Sequence, residues 1–159
     1  MTTRTGSRQT RGRAQAGKQP ARIALRALSA SDVREFIAAV RVSRSLHRPW
    51  TSPPVTPAAF RTYFERLTQP GQRAFVVCRR DTGSMVGLVA MSQIVLGPFR
   101  SAYLGYYAFA GHEGRGLMRE GLEAVVRFAF RSMRLHRLEA NIQPGNRASI
   151  ALARSCGFR

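Results

Sequence analysis

Between Ala108 and Phe130 the chain reads AFAGHEGRGLMREGLEAVVRFAF, with Gly111, Gly114 and Gly116 crowded between an apolar run and a helical pattern. Met118, Leu122, Val125, Ala129 and Met133 recur at three- and four-residue spacing, and Glu123 and Arg127 form an i,i+4 pair on the other face. A strand, a glycine turn and a helix in immediate succession restrict what the chain can become. The first amides of a helix have no internal partner, the helix dipole favours negative charge there, and glycine lets a ligand approach the bare backbone. The same spacing also suits a tight strand–helix turn that binds nothing. A P-loop is excluded, because no lysine follows the glycines. A dinucleotide fingerprint fits poorly. Arg119 stands where its third glycine belongs, and no second βαβ unit remains after the turn, although Glu139 lies at about the spacing of a ribose contact.

What precedes the turn is an antiparallel meander. RIALRAL alternates Ile23, Leu25 and Ala27 against Arg22, Ala24 and Arg26, which predicts a first strand. A helix over SASDVREFIAAVRVSRS follows, capped by Ser29 or Ser31 and carrying Val33, Phe36, Ile37 and Val40 inward. A proline-rich break leads to Thr56-Pro57, the cap and first residue of a second helix with Phe60, Tyr63, Phe64 and Leu67 on one side. Ala74–Arg79 and Met85–Ile94 flank RDTGS as a hairpin, and SAYLGYYAFA makes a third antiparallel strand. After the glycine helix, RLEANI is a short strand reached by a parallel crossover, and Asn146 caps a last helix with Ile150, Leu152 and Ala153 inside. The order is β-α-α-β-β-β-α-β-α, an α+β (mixed α/β) domain over residues 21–159.

Residues 1–20 hold five basic residues, no acid and no aromatic, and are expected to be a disordered basic arm, either a solvated tail or an RNA-binding arm. The formal net charge of +18, almost all from arginine, favours contact with nucleic acid, ribosomes or acidic ligands. No stretch approaches the roughly 20 apolar residues of a membrane span, so no membrane partner is expected. Cys78 and Cys156 are far apart and read as reduced, buried residues of a cytoplasmic protein. His47, His112 and His136 are scattered, so no metal site is expected.

GYYAFAGHEGRGLMREGLEAVVRFAF together with LHRLEANIQPGNRASIALARSCGF resembles the acetyl-CoA-binding half of the GNAT superfamily of N-acetyltransferases, and within it the RimJ/RimL type that acetylates ribosomal-protein N-termini. The resemblance extends from about Ile23 to Phe158 and includes HRPW at 47–50. It implies a central, mostly antiparallel twisted sheet flanked by helices, and acetyl-CoA as co-substrate. The pyrophosphate would sit on the turn at Gly114, Arg115, Gly116, Leu117 and Met118, with Arg119 adding charge. The pantetheine arm would run along Tyr107, Ala108 and Phe109, with an amide near Ala108 or Phe109 facing the oxyanion. The family often carries Gln or Arg three residues before the first motif glycine, and here that residue is Gly111.

For proton transfer the resemblance implies less. Glu113 lies beside the turn, and Glu120 suits a structural role at the helix start. Glu139 is a candidate facing the expected cleft, or a structural hydrogen-bond acceptor. The acid and base positions of RimI-type relatives fall on Asn141 and Ala153, which can do neither task. Ser149 matches a RimL-type serine placed near the leaving thiolate; its plain alternative is a first-turn helix serine. Asn146 would cap its helix and contact the cofactor arm. Cys156 reads as core rather than nucleophile. The family continues past Cys156-Gly157-Phe158 with a β-hairpin that carries a proposed base, so the chain is expected to be incomplete at its C-terminus, with RLEANI as a bare sheet edge.

The expected function is acetyl transfer to the α-amino group of a protein, ribosomal in the leading reading, by a monomer or dimer. Two alternatives stand beside it: an enzyme for a small amine such as an aminoglycoside or polyamine, and a non-catalytic module that contacts RNA or the ribosome through its basic arm.

Overall fold

The computed structural model describes residues 21–159; the expected basic arm lies outside them. Five strands form one sheet in the order β1-β2-β3-β4-β5. These are β1 (Ile23–Ala27), β2 (Arg73–Arg79), β3 (Met85–Val95), β4 (Ser101–Ala108) and β5 (Arg137–Glu139). The first four are antiparallel neighbours, and β5 joins β4 in parallel after the crossover helix α4 (Leu117–Arg131). The mixed sheet flanked by helices is the α+β architecture expected from the sequence.

The first expected helix is three pieces. A 3-10 turn, Ala30–Asp32, leads into α1 (Val33–Val42), and Ser43 separates α1 from the short α2 (Arg44–His47). Ser29 is the cap, in a capping box with Asp32. Ser43 is fully buried and its hydroxyl donates back to the Ala39 carbonyl at 2.6 Å, which competes with the helix ladder where α1 ends. Helix α3 (Pro57–Leu67) starts as Thr56-Pro57 predicts, with the Thr56 hydroxyl accepting from the Ala59 amide.

Helices α1 and α3 cover one face of the sheet around Phe36, Phe60, Leu88 and Phe109. Helix α4 covers the other through Leu122, Val125 and Ala129, together with Leu152 of α5 (Arg147–Ser155). Two glycines set how close α4 lies. A Cβ on Gly121 would stand 2.6 Å from Val77 Cγ2, and one on Gly87 would stand 2.4 Å from Met118 Sδ. The first turns of α4 therefore press onto β2 and β3.

Several boundaries differ from expectation. Ala27 is exposed, so β1 turns only its earlier residues inward. Cys156 is only half-buried, unlike Cys78. The expected six-residue RLEANI strand stops after three residues, at Glu139, because the chain then swings away from β4 toward α5. β5 is thus a short outer strand whose partner-free side borders a hollow of about 500 Å³ lined by Leu138, Ile142, Ile150 and Phe158. No helix among the described residues is long and apolar enough to cross a membrane.

Candidate functional site

The divergence of β4 and β5 creates the site. β5 pairs only with Ser101–Tyr103, so the edge of β4 from Leu104 to Ala108 has no strand beside it. Which of its groups are free follows from the alternation of an antiparallel pair. The Phe109 amide donates to the Val86 carbonyl at 2.7 Å, so it is committed to β3. The same alternation turns the Tyr107 amide and carbonyl toward Leu88, its register partner. Tyr106 and Ala108 therefore present their backbone groups to the gap. Of the three residues expected along the pantetheine, Ala108 keeps an open amide, whereas the Tyr107 and Phe109 amides do not.

The glycine turn completes the site on the cofactor side. Gly111, Gly114 and Gly116 all have φ between 69° and 90°, a left-handed backbone that favours glycine. A Cβ on Gly114 would meet nothing within 4 Å, so that position faces open space. Gly116 is the N-cap of α4 and offers no side-chain cap. The first hydrogen bond of the helix runs from the Glu120 amide to the Gly116 carbonyl, and among the described residues no acceptor meets the amides of Leu117, Met118 and Arg119. Leu117 and Met118 bury their side chains, so only their amides reach the turn.

Charges around the turn are sorted by ion pairing. Glu120 accepts from the Arg22 side chain and, at 3.2 Å, from the Arg22 amide, which ties the helix start to β1 and bears out its structural reading. Arg119 pairs with Glu123 at 2.9 Å, closer than Arg127 at 4.0 Å, so its charge is partly spent on its own helix. Glu113 accepts from the Gly111 amide at 2.7 Å, and backbone amides of Glu113 itself and of Gly111 hold its carboxyl below the usual range. It closes the turn. Among the described residues Arg115 has no acidic partner and is the free guanidinium at the turn.

The far wall is α5. Asn146 accepts from the Ser149 amide at 3.2 Å, the expected cap, and places Ser149 on the first turn. The Tyr106 hydroxyl donates to the Ser149 carbonyl at 2.6 Å, which draws that turn against β4. Burial pushes the Tyr106 phenol up to about 12, so it stays a donor and is no base near neutrality. Glu139 is elsewhere. It pairs with Arg137 at 2.9 Å and stands opposite Tyr103, five residues along β4 from Ala108, or about 17 Å of strand. The structure thus separates Glu139 from the open end of the gap, and the expectation that it faces the cleft is corrected: the strand carrying it ends too early.

Sequence reading missed the residues that close the site from the α1–α3 side. His47 and Ser43, both buried, reach the segment leaving β4. His47 Nε2 lies 2.8 Å from the Ala108 carbonyl, and the Ser43 hydroxyl accepts from the Ala110 amide at 2.8 Å. Trp50 lies close beside Gly145, ahead of α5. Tyr107 and Tyr63 join hydroxyls at 2.9 Å, and burial raises both phenols. The available signal was the four-residue spacing of Ser43 and His47, a helical repeat of polar residues running into the first residue of HRPW. Among the described residues no group of ligating side chains could hold a metal ion.

An uncapped helix start beside an unpaired strand edge is a place for an extended, anionic ligand. The probable N-acetyltransferase YjcK of Bacillus subtilis is 33% identical over 96 residues, 60% of this chain and 53% of the relative. The [ribosomal protein uS5]-alanine N-acetyltransferase of Escherichia coli is 37% identical over 78 residues, 49% of this chain and 40% of the relative. This chain thus matches about half the length, or less, of these curated relatives. The fold matches the spermidine N-acetyltransferase of Vibrio cholerae, solved with CoA and spermine, at a TM-score of 0.74 and 22% identity, over 88% of this chain and 82% of that one. The acetyltransferase (GNAT) domain family matches residues 22–159, nearly the whole described chain, and the protein belongs to that family.

Proposed function

We propose that this chain transfers the acetyl group of acetyl-CoA to the α-amino group of a protein N-terminus, with a ribosomal protein as the leading acceptor. The observation that carries acetyl-CoA binding is the open row of α4 amides after the left-handed Gly116, set at the end of the free β4 edge. Gly114, Arg115, Gly116, Leu117 and Met118 hold the pyrophosphate through amides, with Arg115 adding charge. The backbone groups of Tyr106 pair with the pantetheine as a neighbouring strand would. The Ala108 amide faces the thioester carbonyl as oxyanion donor. Acetyl-CoA supplies the activated acyl group. Asn146 orients the first turn of α5, and the Ser149 hydroxyl donates to the sulfur as the thiolate leaves.

The acceptor follows from charge. The chain has eight acidic residues, none of them before Asp32. Asp32, Asp81, Glu120, Glu123 and Glu139 are ion-paired with arginines. Glu35 and Glu113 accept backbone amides, and among the described residues Glu65 is the one carboxylate with neither an ion pair nor a hydrogen-bond donor. A polycation would find little to bind. An α-amino group, with a pKa near 8, loses its proton at neutral pH at small cost and makes little demand on a base. The similarity to a uS5-alanine acetyltransferase points the same way. The likeness to a spermidine acetyltransferase supports the small-amine alternative through fold alone.

The test offers the chain acetyl-CoA with a peptide bearing a free N-terminal alanine or serine, and separately with spermidine, and reads the products by mass spectrometry. Acetylation of the peptide α-amine is expected. Acetylated spermidine with an untouched peptide would overturn the acceptor assignment, and no transfer to either would overturn the activity.

A further inference from the structure

Ser43 and His47 stand one helical turn apart where α1 breaks into α2, and both are spent on the same short segment. The His47 ring is 4% exposed and lies edge-on to Tyr107, with ring centroids 5.2 Å apart. Its Nε2 meets the Ala108 carbonyl, which can only accept, so Nε2 carries a proton. Burial lowers the His47 pKa, which favours the neutral ring. In that form Nδ1 keeps a buried lone pair with no partner among the described residues. Two residues on, the Ala110 amide donates to Ser43, whose hydroxyl donates in turn to the Ala39 carbonyl. Between them the Phe109 amide is held by Val86. Three consecutive residues are therefore fixed from two sides.

The Ala108 amide and carbonyl point to the same side of β4, away from β3. With the carbonyl held by His47, the amide is held in direction as well. We propose that Ser43 and His47 are positioning residues for acetyl transfer. Their clamp on Ala108–Ala110 aims the Ala108 N–H at the thioester carbonyl and keeps the Ala108 carbonyl from competing for the pantetheine amides. This rests on the reading of the site as an acetyl-CoA site. It makes the α1–α2 junction part of the reacting centre, although neither side chain touches the acetyl group. A donor held in direction does not reorganise as charge develops on the oxygen, which is where such a contact gains its effect.

The test uses acetyl-CoA labelled with 13C at the thioester carbonyl and needs no acceptor. In the wild type the carbonyl resonance moves downfield on binding, as a hydrogen bond to oxygen requires. In His47→Phe and Ser43→Ala the shift falls by about half or more, while calorimetric affinity stays within about threefold, because the pyrophosphate contacts are intact. His47→Gln, whose amide nitrogen reaches the same carbonyl, restores the shift; an imidazole acting as a proton acceptor would not be replaced by Gln. With an active acceptor, kcat falls about tenfold in His47→Phe with little change in KM for acetyl-CoA, and returns in His47→Gln. An undiminished shift in the folded Phe variant overturns the clamp, as does a Gln variant no better than Phe. Should His47→Phe not fold, Ser43→Ala and His47→Gln decide: a full shift in the first or a lost shift in the second overturns the proposal. A wild type that fails to bind acetyl-CoA refutes the site itself, which separates that failure from failure of the clamp.

Discussion

The Tyr106 hydroxyl donates to the Ser149 carbonyl at 2.6 Å, so the middle of β4 holds the first turn of α5 directly. Nothing else among the described side chains bonds that turn to the sheet. Tyr106→Phe keeps the ring and removes the tether. The expected cost is about 1 kcal/mol in urea unfolding. The functional effect should exceed it, because the serine proposed to meet the leaving sulfur loses its fixed position. We expect kcat to fall and acetyl-CoA affinity to hold. Equal losses in both would show that Tyr106 acts on cofactor binding instead.

Gly116→Asp tests the pyrophosphate cradle. An aspartate there would put a carboxylate and its bulk beside the Leu117 and Met118 amides proposed to meet the pyrophosphate. Its charge also repels the phosphates and interacts favourably with the helix dipole. Arg22, 3.3 Å from the Cβ position, can pair with it. The left-handed φ of Gly116 sets a strain of about 1 kcal/mol against those gains, so stability should fall by about 1 kcal/mol or less while acetyl-CoA affinity falls by about tenfold or more. Calorimetric titrations of the two proteins decide, and equal affinities would remove the cradle.

Gly121→Ala sets helix propensity against packing. In an exposed helix the change would stabilise by about 1 kcal/mol. Here the new methyl would lie 2.6 and 2.7 Å from the two Cγ atoms of Val77 and 3.2 Å from its Cβ. Valine has no flexible end to swing aside, and Val77 is fully buried. Overpacking should win, with a net loss of about 1–2 kcal/mol. Pairing it with Val77→Ala in a double-mutant cycle should recover part of that loss; strict additivity would refute the contact.

These residues show how far the sequence reaches. The order of elements was legible because periodicities of two and of three to four residues alternate cleanly, and the caps at Thr56 and Asn146 lie where their residue types put them. The glycine turn was legible because an uncapped helix start is a local feature. What was not legible depends on distant segments meeting. That the Phe109 amide belongs to Val86 and that Glu139 is left behind by a three-residue strand are consequences of register. His47 looked like one of three scattered histidines because its partner, Ala108, is 61 residues away and contributes only backbone. A residue that acts on main chain leaves no pairing signal in a single sequence.

The buried His47 also makes a prediction for stability against pH. Burial sets its folded pKa below the unfolded value near 6.5. Between those two values the unfolded chain binds a proton that the folded chain refuses, so stability rises with pH. The contribution is present in full above about pH 6.5 and is lost as pH falls through the folded pKa, with a slope of at most about 1.4 kcal/mol per pH unit. His47→Gln keeps a donor for the Ala108 carbonyl and removes the titration, while His112 and His136 remain in both proteins and cancel. The wild type should therefore lose stability relative to His47→Gln as the buffer goes from pH 7.5 to 5. Urea unfolding of both proteins across that range is the measurement, and parallel curves would mean that His47 is not held neutral by its burial.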